Sequence, residues 1–197
     1  MKKLNLLFLL LLLPSGLFAQ YTVGSGGAYG TLEEAFKAIN EGDLTGNVIL
    51  QIISNITETT PPVLYQNGYN ATSNYTSVTI YPTGSGYTID GDFDGPLIDL
   101  NGASNVTFDG RVDQTGGKDL IITNISTGTA ASTIRFSESA TSNTVKYCVI
   151  KGSETGSSSG IIFFSTATTG SGNDGNTIDT CDITSDPAGR PINAIYS

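Results

Sequence analysis

The chain has 197 residues, enough for one domain with a substantial core. Charged residues make up 14% and apolar residues 38%, beside 24 glycines, which is too apolar for disorder and suits many short strands joined by turns. The net charge of −9 opposes nucleic acid phosphates and anionic lipid, so both are excluded as partners, and it keeps an extracellular surface soluble.

Residues 1–19 read as a signal peptide. Lys2 and Lys3 supply the positive start, residues 4–13 are almost unbroken Leu and Phe, and Ala19 is the small residue before a cut ahead of Gln20. The run is too short to span a bilayer comfortably, and no second apolar segment follows, so no membrane span is expected. The protein is expected to be secreted or held at the cell surface. Loss of Lys2 and Lys3 leaves 7 basic residues against 18 acidic ones, a net charge of −11.

Residues 20–46 read as a strand and a helical cap. Tyr21 to Gly30 is a short strand with a Gly-rich turn. Thr31 and Glu34 form a capping box, and Leu32, Ala35, Phe36 and Ile39 share one helix face that ends at Gly42. A lone amphipathic helix before an all-strand chain needs an apolar surface to cover. The open end of a stacked sheet is one.

Residues 47–197 read as strands, with apolar runs at 48–53, 78–81, 97–100, 106–108 and 120–122. The second half repeats. Thr133-Ile134-Arg135-Phe136 matches Gly160-Ile161-Ile162-Phe163 and Ala194-Ile195-Tyr196-Ser197. Asn143-Thr144-Val145-Lys146-Tyr147-Cys148-Val149-Ile150 matches Asn176-Thr177-Ile178-Asp179-Thr180-Cys181-Asp182-Ile183 at an offset of 33 residues. Such units bury their apolar faces by stacking roughly 4.8 Å apart. Val145 is expected over Ile178, Cys148 over Cys181, Ile150 over Ile183, and Asn143 beside Asn176 at a corner. Adjacent coils bring Cys148 and Cys181 close enough for a disulfide in an oxidising compartment, but inward side chains in a parallel ladder point alike, which favours stacked thiols. The fold expected is an all-β, right-handed parallel β-helix with an N-terminal capping helix and about five coils. No cap follows Asn193-Ala194-Ile195-Tyr196, so the C-terminal end is expected to be incomplete and further domains of the same chain are expected.

The pattern Asn-Thr-Ile-x-x-Cys-x-Ile, followed by Gly-Ile-x-Phe, resembles the repeat of the pectin-lyase-like right-handed β-helix superfamily. The opening Tyr21-Thr22-Val23-Gly24, with Tyr29-Gly30-Thr31-Leu32-Glu33-Glu34-Ala35-Phe36, is similar to the helical cap of its large secreted bacterial surface proteins. The resemblance implies an architecture; the superfamily includes lyases, hydrolases, esterases, adhesins and stalks.

Candidate chemistry is sparse. There is no His, which removes Ser-His-Asp and Cys-His catalysis. Asp90-Gly91-Asp92-Phe93-Asp94-Gly95 spaces carboxylates as a calcium loop does, so Asp90, Asp92 and Asp94 are candidate Ca²⁺ ligands, although Asn101 stands where a bidentate Glu belongs. Asp109, Arg111 and Asp113 form a second cluster. The resemblance implies that, in a Ca²⁺-dependent lyase acting on acidic glycans, Arg111 is the candidate base. Tyr65, Tyr69, Tyr75 and Tyr87, with Tyr81 among them, are candidate platforms for the sugar rings of a polysaccharide or cell-surface glycan. The leading expectation is a structural, adhesive or carbohydrate-binding module, with the lyase as the alternative.

Overall fold

The structure is a computed structural model that describes residues 19–165, 170 and 172–197; apart from Ala19, the leader expected over 1–19 lies outside the described residues. Strand β1 (Ala19–Val23) is followed by helix α1 (Leu32–Glu41). Five coils of three strands follow. The first holds β2 (Gly46–Ile52), β3 (Ile56–Thr57) and β4 (Val63–Tyr65), and the second β5 (Tyr75–Pro82), β6 (Tyr87–Gly91) and β7 (Pro96–Asn101). The third holds β8 (Val106–Asp109), β9 (Leu120–Asn124) and β10 (Ser132–Ser137), and the fourth β11 (Thr144–Lys146), β12 (Cys148–Gly152) and β13 (Ile162–Phe164). The fifth holds β14 (Thr177–Asp179), β15 (Asp182–Ser185) and β16 (Ile195–Tyr196).

Each strand pairs in parallel with its counterpart one coil away, which makes three sheets: β1-β2-β5-β8-β11-β14 (sheet A), β3-β6-β9-β12-β15 (sheet B) and β4-β7-β10-β13-β16 (sheet C). The chain is therefore a parallel β-solenoid. Alternation sends every second side chain inward, where like residues stack in columns. Leu50, Ile80, Phe108, Val145 and Ile178 form one column. Ile56, Ile89, Ile122, Ile150 and Ile183 form another. Each fully buried member contributes on the order of 2 kcal/mol, so the columns dominate cohesion.

The expected pairs Val145 with Ile178 and Ile150 with Ile183 are in register, and both cysteines are free thiols. One register differs. Ile134 pairs with Ile162, and Ile162 with Ile195, rather than through Ile161. Ile161 and Ile162 are both apolar and both buried, so alternation alone does not distinguish them.

Side-chain amides close the corners. Asn143 is fully buried; its Nδ2 donates to Ala103 O at 2.9 Å and to Asn176 Oδ1 at 3.0 Å, and its Oδ1 accepts from Val106 N at 2.9 Å. Asn124 does the same between sheets B and C. It donates to the carbonyls of Phe93, Gly95 and Ser132 and accepts from Phe93 N and Ser126 N.

Helix α1 lies beside β4, the first strand of sheet C. Thr31 Oγ1 accepts from Glu34 N at 3.2 Å, while the Glu34 carboxylate reaches Gly30 N, one residue short of the reciprocal bond of a capping box. Leu32, Ala35, Phe36 and Ile39 are fully buried, and Gly42, at φ 84°, ends the helix in a left-handed turn. Asn40 replaces the missing strand neighbour. Its Nδ2 donates to Val63 O at 2.8 Å and its Oδ1 accepts from Tyr65 N at 3.0 Å. Glu58 tethers the other end, accepting from Leu32 N at 2.8 Å and Glu33 N at 3.4 Å.

Candidate functional site

Strand β4 turns Leu64 inward and leaves Val63 and Tyr65 facing out. Gly68, at φ 87°, then redirects the chain into a single 3₁₀ turn over Tyr69–Ala71. The loop closes on itself through Gly68 N to Ser73 O at 2.9 Å and Tyr69 N to Gln66 O at 3.0 Å. Thr72 Oγ1 ties it to the helix by donating to Asn40 O at 2.9 Å. The result folds Tyr69 back on Tyr65. Their rings stack with centroids 3.9 Å apart and planes 10° from parallel. Burial, and then the neighbouring Tyr69, push the Tyr65 hydroxyl above its ordinary pKa, so its ring stays a neutral platform at physiological pH.

Clefts open on both sides of this pair. One, of about 360 Å³, runs between the loop and the outer helix face, past Glu33, Lys37, Asn40 and Glu41. The other, of about 240 Å³, is lined by Gln66, Asn101, Gly102 and Glu138 together with both rings. Flat aromatic rings beside amide and carboxylate groups offer stacking to a sugar face and hydrogen bonds to its hydroxyls.

The other expected site residues are distributed differently. Tyr75 is 2% exposed; its hydroxyl donates to Tyr65 O at 2.8 Å, and burial pushes it up to about 12. A ring so placed in the core has no free face to offer a ligand. Tyr81 is also buried, accepting from Gln51 Nε2 at 3.0 Å. Tyr87 is half-buried on β6 and lines neither cleft.

The Asp90 loop does not gather its carboxylates. Asp90 accepts from Thr57 Oγ1, one coil back, at 3.2 Å, and Asp94 accepts from Ala130 N, one coil on, at 2.8 Å. Asp92 is exposed. Among the described residues no group of three carboxylate or thiol side chains converges as a metal site.

Arg111 meets Asp109 and not Asp113. Its Nε and Nη2 donate to the two Asp109 oxygens at 2.8 and 2.7 Å, and the guanidinium lies 4.4 Å from the Tyr147 ring centroid. Burial alone would raise the Asp109 carboxyl, but bonds from Arg111 and Lys146 together hold it below the usual range. The bond to Asp109 in turn raises Arg111, which holds the guanidinium as a cation.

Three features escaped the sequence. Arg135 pairs with buried Asp99 at 3.0 and 2.7 Å, joined by Ser137 Oγ at 2.9 Å. Glu58 anchors the helix, and Asn40 caps β4. All three depend on which strands become neighbours, which a 33-residue spacing does not reveal before the coil count is known.

No protein-family model, curated protein or solved structure matches the chain. Among the described residues no helix is long and apolar enough to cross a membrane. Its class is that of the parallel β-solenoids.

Proposed function

We propose that this chain is a secreted or cell-surface β-solenoid module of the pectin-lyase-like kind that binds polysaccharide or a cell-surface glycan. The observation carrying this reading is the stacked Tyr65–Tyr69 pair with a polar cleft on each side. The pair is pre-organised by its loop, so a ligand does not have to order it on binding. Sugars present alternating apolar faces and hydroxyl edges, which match a ring beside Asn40, Gln66 and Asn101. The repeat motifs, the leader and the helical cap support the same setting.

The test is retention of the purified protein on immobilised glycans. Tyr65→Ala and Tyr69→Ala are expected to weaken binding by about tenfold or more, the size of a lost aromatic contact and its buried area. Tyr87→Ala is expected to bind as the parent does. Equal binding by all three variants, with unchanged circular dichroism, would remove the tyrosine pair from the site.

A further inference from the structure

The tyrosine pair belongs to a longer strip. Along sheet C, the outward row two residues before Tyr65 aligns Val63, Asp99, Arg135, Phe163 and Tyr196. The row of Tyr65 itself continues through Asn101 and Ser137. Phe163 and Tyr196 are half-buried, and their ring centroids lie 5.6 Å apart. The sheet face thus carries an aromatic pair in its first coil and another across its fourth and fifth coils.

The ground between them is polar and internally neutralised. Arg135 covers the Asp99 carboxylate with two hydrogen bonds, and Ser137 Oγ donates a third. Asn101 offers an amide beside Tyr65. Three coil steps separate Tyr65 from Phe163, about 14 Å along the axis at ~4.8 Å per step. That is the span of several sugar rings laid end to end.

Charge selects among sugars. Glu33 and Glu41 line one cleft and Glu138 the other, with Lys37 the cation in the first. A uronate chain would set its carboxylates against Glu33 and Glu41 at the Tyr65–Tyr69 end, a like-charge arrangement that suppresses binding there.

We infer that the outer face of sheet C holds an uncharged linear glycan running along the solenoid axis, seated on Tyr65–Tyr69 at one end and on Phe163–Tyr196 at the other. This rests on the glycan-binding reading above and adds direction, length and charge to it. Binding at two linked platforms raises affinity once one ligand spans both, because the second contact becomes intramolecular.

The experiment is calorimetric titration of the whole protein with uncharged β-glucan, mannan and xylan oligosaccharides, from disaccharide to octasaccharide, beside oligouronates of matched length. Affinity for the uncharged series is expected to rise by about tenfold or more once the ligand spans both platforms. Phe163→Ala is expected to abolish that rise, while a disaccharide still binds at Tyr65–Tyr69. Tyr196→Ala, at the same platform, is the second variant should the first fail to fold. A flat length series with silent Phe163 and Tyr196 variants would overturn the axial path and leave binding at Tyr65–Tyr69 standing. Tighter binding of the uronates would overturn the uncharged class. No binding by any oligosaccharide would overturn this inference and the glycan-binding reading together.

Discussion

Two groups, one buried and one half-buried, make the chain sensitive to pH. Glu58 is 3% exposed, and burial lifts its carboxyl to about 7 against the opposing pull of the Leu32 and Glu33 N–H groups. The folded state therefore holds a proton that the unfolded chain releases near 4.5. Its contribution is fully present below pH 4.5 and is lost as pH rises through about 7, a swing on the order of 3 kcal/mol. Glu58→Gln keeps an acceptor for Leu32 N without the charge. Urea titrations are expected to show the variant gaining on the parent from pH 5 to pH 8, and a constant difference would refute the assignment. Burial also raises Glu154, which acts with the same sign, so the comparison must be made between the two proteins rather than from the parent alone. The second sensitive group is Cys181. The neighbouring Cys148, and more weakly Lys118, lower its thiol to about 7, while Cys181 and burial raise Cys148. Alkylation is expected to label Cys181 with a midpoint near pH 7 and to spare Cys148. In Cys148→Ala, the midpoint is expected to move back toward the ordinary thiol value.

Helix α1 and the asparagine corners show how single side chains substitute for backbone. Without Asn40, Val63 O and Tyr65 N lose their partners, and Asn40→Ala is expected to cost about 1–3 kcal/mol in chemical denaturation. A loss well below that range would mean water replaces the amide. The helix was legible because its cap, its apolar face and its terminating glycine agree at Thr31, Phe36 and Gly42. Strands with dense apolar runs, such as β2 and β5, were legible too. The short β3 and β4 were not: two or three residues give no period to read, and they exist because β6 and β7 template them. The tyrosines show the same limit. Tyr65 and Tyr75 look alike in sequence, but one faces outward from β4 and the other inward from β5, a distinction set by register.

As a whole, the solenoid is tied together unevenly. Every coil up to the fourth contributes fully buried apolar side chains, whereas no described residue after Ile162 joins the buried core, and Ile195 is 50% exposed. Stability in a stacked array is the sum of local terms and neighbour contacts, so this gradient becomes a gradient of opening. Hydrogen exchange on the 197-residue chain is expected to be slowest in β5 to β9 and fastest in β14 to β16. Uniform protection across the coils would contradict it. The expected columns, Asn143 beside Asn176 and Val145 over Ile178, were readable from a repeat alone because stacking aligns like with like.

The Asn40 amide beside β4 gives the molecule a direction. A bare strand edge is a template on which any extended peptide can continue the ladder, including a copy of the same chain. Over sheet C at the helical end, the N–H of Tyr65 and the carbonyl of Val63 are already taken, and α1 occupies the space an incoming strand would need. Recruitment of a foreign β-segment there is blocked before it begins. Elongation of that sheet can proceed only away from the helix, as on a filament with one plugged tip.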